Sequence, residues 1–446
     1  TSSGTVTAIT SSYAGRHAPD ETMGLVFSPA QNFLIALGSK SYSPTDFSTA
    51  FDPLLVRWSD QDNPYEWVPD SLNQSGEQRL SNGSYIVTAA QTRQEILIFT
   101  DTAIYSMQYV GAPFVWSFNL MDHDVSIASQ NAVVSANNAV FWMGEDKFFV
   151  YDGRVQVLPC TVARHVYSTL NRSNISQVMS GYNEAFSELW WFYPGTGSQV
   201  CSLYVAFNFL DGVWHYGSLN RTAYVHQSLR TYPMIANSVQ ASFLSAAINS
   251  SVTTITLLNA GSYPQSGTIL IDSEQITYTS RSSNTLDGCT RGANSTVAAS
   301  HTIYTEAPMR SANQVLFHDI GLDDVETGSP VAITAYIETS DFDIGDGDRF
   351  SFISKILPDV RFLGSTASSP CVALSVYPRS HPGDAVGTNS SGTVTATAVL
   401  PVDLYTDQIH TRVRGRQAYL RVTSSGLGVA WQMGKMRFEI RPDGRR

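Results

Sequence analysis

Apolar residues along this chain fall in short runs or alternate with polar ones, and hardly any segment repeats with the 3.6-residue period of a helix. Apolar, β-branched and aromatic runs bounded by Gly, Pro, Asn, Asp and Ser predict strands over Asn32–Leu37, Leu54–Trp58, Ser84–Ala90, Glu95–Thr100, Ala103–Tyr109, Ala139–Met143, Lys147–Tyr151, Glu188–Tyr193 and Ser202–Phe209. The pattern is that of an all-β protein.

Several of these runs form a recurring hairpin. Leu54–Trp58 is followed by Asp60, Asn63, Pro64 and Trp67. Ile96–Phe99 is followed by Thr100, Asp101, Ile104 and Tyr105. Val140–Trp142 is followed by Gly144–Asp146 and Phe148–Gly153, and Leu189–Phe192 by Pro194, Gly195, Leu203–Phe209 and Asp211–Trp214. The hairpins start at Leu54, Ile96, Val140 and Leu189, a period of 40–50 residues in round numbers, which suits propeller blades. One blade cannot cover both faces of its own sheet, so blades stack side by side. A large β-sandwich with accidental spacing is the alternative. Residues 1–240 are therefore expected to form most of a β-propeller.

Residues 241–306 read as a separate small β-module, with alternating strands over Thr253–Leu258, Gly267–Asp272 and Gln275–Thr279. Within 307–329, Gln314–His318 is expected to return and close the last blade. From Pro330 a C-terminal β-sandwich (330–446) is expected, with strands over Val331–Thr339, Arg349–Lys355, Val372–Tyr377, Thr393–Ala398, Arg416–Thr423 and Lys435–Arg441. Ser380–Ser391 reads as a polar loop.

Composition sharpens the picture. Charged residues make up only 15% of the 446 residues, with 21 Tyr, 21 Phe and 8 Trp. A weakly charged, aromatic-rich surface suits extensive subunit contacts, although a secreted all-β protein would share it. The net charge of −11 is uneven. From Asp407 onward, Arg412, Arg414, Arg416, Arg421, Lys435, Arg437, Arg441, Arg445 and Arg446 oppose only Asp407, Glu439 and Asp443, a net of +6 that leaves −17 on the rest. A basic end on an acidic body suggests a docking surface. There is no long apolar run of membrane-spanning length. Thr1–Gly15 does not read as a signal peptide, and the missing initiator Met suggests a processed or incomplete start. Cys160, Cys201, Cys289 and Cys371 are too dispersed for a zinc site. Buried free thiols are favoured over a Cys160–Cys201 bridge.

Three segments resemble virion proteins of bacteriophages. Ser266–Thr279, Leu286–Gly292 and Ala298–His301 look like a small β-module that recurs in phage tail and virion proteins. Arg57–Asp60 with Tyr65–Trp67 looks like the opening blade of phage propeller proteins. Ser340–Asp348, Arg414–Gln417 and Arg441–Gly444 look like the end of the same proteins. The family resembled is the tail nozzle, or tail tubular (virion stabilisation), proteins of short-tailed phages. That resemblance implies a six-fold ring below portal and adaptor, contacts with fibre or needle, DNA passing through the bore, and a place in the virion tail after assembly in the bacterial cytoplasm. The N-terminal domain expected ahead of the propeller is absent or reduced.

No catalytic, cofactor-binding or metal site is expected, and no cofactor. Asp341, Asp343, Asp346 and Asp348 lie close together, but Gly345, Asp346 and Phe352 occupy the fifth, sixth and twelfth places of an EF-hand loop, where Asp or Asn, Gly and Glu belong. A tight acidic turn is favoured over another oxygen-lined calcium site. Asp319, Asp323, Asp324 and Glu326 could supply a glycosidase's carboxylate pair, yet they read better as a solvated turn. Nucleophile-elbow, zincin and phosphate-loop motifs do not occur. The histidines are scattered, and the sequons at Asn249, Asn294 and Asn389 carry no meaning in a phage protein made in bacteria, whereas in a secreted eukaryotic protein they could be glycosylated. Arg412, Arg414 and Arg416 would share one face of a strand and dock a neighbouring subunit or adaptor. Both acidic clusters are expected as exposed loops, some facing a net-negative lumen. The competing reading is a propeller-based carbohydrate-binding receptor protein or adhesin.

Overall fold

The computed structural model describes residues 18–43, 50–226, 232–237, 241–261, 263, 265–309, 315–325, 330–380, 386 and 398–443. The chain divides into two compact units, Thr1–His318 and Asp319–Arg446. Both are built almost wholly of antiparallel strands.

In the first unit the strands form consecutive four-stranded meanders. Sheet I comprises Thr22–Ser28, Phe33–Lys40, Phe51–Trp58 and Gly76–Arg79. Sheet II comprises Ile86–Gln91, Glu95–Thr100, Ala103–Gly111 and Val115–His123. Sheet III comprises Val133–Ala136, Ala139–Met143, Phe148–Tyr151 and Val155–Leu158. Sheet IV comprises Met179–Asn183, Glu188–Pro194, Cys201–Asn208 and Val213–Ser218. Local chemistry sets the turns. Asn137 and Asn138 both take positive φ, 47° and 63°, between the first two strands of sheet III. Such a two-residue turn matches the right-handed twist of a hairpin, and Asn tolerates its left-handed backbone.

The second strand of each sheet is apolar and buried almost throughout, whereas fourth strands such as Gly76–Arg79 carry exposed positions. Side chains of a strand alternate between faces, so continuous burial means both faces are covered. Sheet II shows this directly: Ile96 and Ile98 enter a core shared with sheet I, while Leu97 and Phe99 enter one shared with sheets III and IV. In sheet IV, Leu189, Trp191 and Tyr193 join that second core, and Trp190 and Phe192 point the other way. Each fully buried large apolar side chain contributes about 1.5–3 kcal/mol, so these two-sided strands dominate the stability of the unit. The first strands of successive sheets lie next to one another from sheet I to sheet V.

Sheet V has three strands: Ala223–Val225, Met234–Ala236 and Val315–Phe317. The last returns to the sheet after a long excursion, pairing Phe317 with Met234 and Val315 with Ala236. The excursion folds on its own core, which includes Leu244, Ile255, Tyr263, Ile269, Ile276 and Leu286. Its main hairpin pairs Gly267–Ile271 with Glu274–Tyr278.

In the second unit, Ala335–Glu338, Gln417–Ser424, Cys371–Arg379 and Ala398–Asp403 form one sheet, with Phe342–Asp343 also pairing to Gln417–Ser424. Ile409–Gly415, Ser351–Leu357 and Arg437–Pro442 form another. Both sheets feed one core, with Val372, Leu374 and Leu420 from the first and Ile353, Ile356 and Val413 from the second. The strand expected over Val331–Thr339 is broken into Val331–Ala332 and Ala335–Glu338. Most of Thr393–Ala398 and of the Ser380–Ser391 loop lies outside the described residues, as do Glu326, Asn389, Arg445 and Arg446. A short α-helix, Ala163–Thr169, and a 3-10 helix, Arg172–Gln177, link sheets III and IV.

Candidate functional site

The arginine row lies where a three-stranded sheet of the second unit turns one face outward. Along Ile409–Gly415, Val413 is buried and Arg412 and Arg414 are exposed, as period-2 geometry dictates. The strand ends at Gly415, so Arg416 sits just past it rather than within it. It nevertheless joins the row through a shared aromatic ring. The guanidinium carbons of Arg414 and Arg416 stand 4.0 Å and 4.9 Å from the centroid of Phe350, and that of Arg412 stands 5.5 Å from Phe352. Phe352 pairs across the sheet with Arg414 on one side and Arg441 on the other. The expected repulsion among like charges is therefore relieved within the chain. The ring faces attract the cations, Asp443 bonds Arg414 at 2.5 Å, and Glu439 bonds Arg441 at 2.6 Å and Lys355 at 3.2 Å. Arg441 foremost, then Lys355, holds the Glu439 carboxyl below its ordinary range.

The acidic residues are more structural than the sequence suggests. Asp323–Asp324 is a short strand paired with Val331–Ala332, not a loop, and the Asp323 carboxylate accepts the Gly428 N–H at 2.9 Å. Asp341 bonds Arg379 at 2.7 Å, and Asp343, in a short strand, accepts from Gln417 at 2.7 Å. Asp346 and Asp348 are exposed in the turn that follows, between Gly345 and Gly347 at positive φ and Arg349. Asp319 has positive φ just after the returning strand. The structure does not bring these acids into one cluster.

Sequence reasoning missed a buried charge network in the inserted module. Glu274 is 1% exposed. Its carboxylate accepts from Arg291 Nε at 2.9 Å and Nη2 at 2.8 Å, from the Gly292 N–H at 2.8 Å and from the Ala299 N–H at 3.0 Å. His301 stands between Glu274 (2.8 Å) and Asp272 (2.7 Å). Burial alone would raise the Glu274 carboxyl; Arg291, the Ala299 N–H, His301 and the Gly292 N–H overcome it and bring it down to about 2. These residues fell within the strings that carried the family resemblance. Their spacing in sequence gave no hint that they meet.

A second overlooked group anchors the returning strand. His318 is 6% exposed, edge-on to Trp190 with centroids 4.7 Å apart and near Tyr224 at 6.1 Å. Burial, aided by the charge of Arg221 and opposed by Glu188, pushes its imidazole down to about 4. The four cysteines are free thiols. Burial raises Cys160 and Cys289 to about 11 and Cys201 to about 12, which keeps all three protonated and poor nucleophiles.

The first unit carries an open groove of about 660 Å³ at the turns of sheets II, III and IV, lined by Arg93, Asn137, Asn138, Tyr182, Glu184 and Phe209 among others. It combines carboxamides, opposite charges and aromatic edges.

No family model matches the chain, and no curated protein matches it in sequence. Among solved structures, Hsv2 from Kluyvelomyces marxianus is 10% identical, with a TM-score of 0.28 over 57% of this chain and 74% of that one. An exo-beta-1,3-galactanase from Phanerochaete chrysosporium is 8% identical, with a TM-score of 0.26 over 93% of this chain and 95% of that one. Likeness at this level carries no argument about fold or function.

Proposed function

We propose that this chain is a structural subunit of a short-tailed bacteriophage tail, a nozzle protein that assembles into a ring, conducts DNA during ejection and attaches other tail parts. The observation that carries the reading is the stack of sheets I–V, in which sheet II shares one core with sheet I and another with sheets III and IV, and sheet V is completed by a strand that returns across a self-contained module. Such a stack is what blades of a β-propeller require, and the shared core of the second unit suits a β-sandwich. The buried Glu274–Arg291 ion pair, with His301 hydrogen-bonded to the same carboxylate, holds the inserted module together, which supports a mechanical role over catalysis. In this reading the protein acts in the virion tail as a homo-oligomer, a hexamer by resemblance. It contacts the adaptor and fibre or needle proteins, and DNA passes without specific binding. Native mass spectrometry of the assembled protein should give a six-subunit species; a purely monomeric product at tail-like concentrations overturns it.

One observation favours the competing reading of a carbohydrate-binding receptor protein or adhesin. The groove among the turns of sheets II–IV offers the mixture of amide, charged and aromatic groups that grips a saccharide. Binding of host surface glycan that is lost in Asn138→Ala and Glu184→Ala, by a protein on the periphery of the particle, would favour it.

A further inference from the structure

We infer that the groove at the turns of sheets II, III and IV binds a saccharide chain that carries a carboxylate, with the acidic sugar at the Arg93 end. This ligand class rests on the second reading above, whose groove it shares, and not on where the protein sits in a particle.

Equivalent turns build the groove. Arg93 lies between the first two strands of sheet II, Asn137 and Asn138 between those of sheet III, and Glu184 between those of sheet IV. The first strands of these sheets are neighbours in succession, so the turns that follow them line up along one rim. Facing sheets pack about 10 Å apart, which puts the whole middle turn between Arg93 and Glu184 and keeps the two charges from pairing. Among the described residues, the Arg93, Asn137, Asn138 and Glu184 side chains and the Tyr182 hydroxyl make no hydrogen bond or ion pair. Burial foremost, then the Glu184 charge, raises the Tyr182 phenol, so its hydroxyl stays neutral and able both to donate and to accept. The Tyr182 and Phe209 rings, 6.1 Å apart and inclined at 40°, add an apolar wall beside these groups.

Chemistry then selects the ligand. A groove of about 660 Å³ that runs past successive turns suits a chain of linked rings. Two carboxamides and a phenol both donate and accept, which matches sugar hydroxyls, since each hydroxyl does the same. Glu184 accepts further hydroxyl protons at its end. Arg93 offers only donors, in a planar fork that a carboxylate fills with two parallel bonds. A neutral saccharide would leave that fork unmatched. An acidic peptide would fill it but brings few hydroxyls to the carboxamides. Nucleic acid is a poorer fit, because a phosphate backbone lying along the groove would meet Glu184 and a chain of net charge −11.

The test is isothermal titration calorimetry of the full chain at physiological salt. The probes are tetrasaccharides of galacturonic, glucuronic and N-acetylneuraminic acid, each beside the same tetrasaccharide with its carboxyls reduced to alcohols, and a short duplex DNA. At least one acidic tetrasaccharide should bind, its reduced form about tenfold more weakly, as expected for losing a hydrogen-bonded charge, and DNA more weakly still. Arg93→Gln should bring the acidic form down to the affinity of the reduced one and leave the reduced one unchanged. Asn138→Gly, which suits the positive φ there, should weaken both forms alike. Thermal midpoints equal to that of the wild type check that these exposed turn positions leave the fold intact. Equal affinity for acidic and reduced forms would overturn the acidic ligand and leave saccharide binding standing, whereas no binding of any tetrasaccharide would overturn both. DNA binding as tight as that of the sugars, or Arg93→Gln weakening acidic and reduced forms alike, would overturn the carboxylate contact at Arg93.

Discussion

Replacing His318 with Phe tests how sheet V is held in place. The imidazole is buried edge-on against Trp190 and is depressed to about 4 from an ordinary value near 6.5. Above pH 6.5 it is neutral in both folded and unfolded chains and contributes no pH dependence. As pH falls, the unfolded chain takes up the proton first, so stability present above 6.5 is lost progressively down to about 4. Linkage puts the loss at about 2.5 kcal/mol by pH 4.5 and about 3.4 kcal/mol once both states are protonated. Glu274, with its carboxyl near 2, adds its own loss mainly below pH 4.5, so the two windows separate. Phe keeps the ring and removes the titration. Urea unfolding followed by tryptophan fluorescence at pH 7.5, 6.0, 5.0 and 4.5 should show the wild type falling toward the variant or below it as pH drops, with the difference changing by about 2.5 kcal/mol across the series. A difference that stays constant with pH would show that the imidazole is not buried neutral, and that the Val315–Phe317 strand is not anchored as described.

Other outcomes follow from the same packing. Glu274→Gln leaves Arg291 buried at 6% side-chain exposure with a neutral partner and should destabilise the module by about 3–5 kcal/mol, read as early hydrogen exchange confined to residues 241–309. A Cβ on Gly181 would come within 2.6 Å of the Tyr224 ring, so Gly181→Ala should cost about 1–3 kcal/mol and loosen sheet V first, seen by exchange at Ala223–Val225. Deleting the module between Ser242 and Ala307 with a short Gly-Ser bridge should leave sheets I–IV cooperative, because the module has its own core. Loss of the cooperative tryptophan transition would show that it is integral.

How much of this was legible in the sequence depended on where each residue's partners lie. Glu95–Thr100 and Ala139–Met143 coincide with their expected bounds, because strands covered on both faces are unbroken apolar runs. Gly76–Arg79 was not foreseen, because an outer strand can be wholly polar and draw its order from its neighbour, whereas Thr22–Ser28 and Val155–Leu158 went unread although largely apolar. Arg412 and Arg414 could be placed on one face from their spacing alone, but Phe350 and Phe352 beneath them could not, since that contact depends on cross-strand register. Glu274, Arg291 and His301 meet only after two hairpins fold, and His318 is buried only because a strand returns across nearly eighty residues. The acidic clusters read as loops because Asp and Gly dominate them, yet backbone pairing to Gln417 and Val331 draws part of each into strands.

The central claim is tested most directly by electron cryomicroscopy of the particle that carries this protein. A tail nozzle predicts a closed axial ring of these subunits, six-fold by resemblance, with the stacked sheets of the first unit resolved around a continuous bore. Density for the chain confined to spikes on the particle's periphery, with no axial ring, would contradict it.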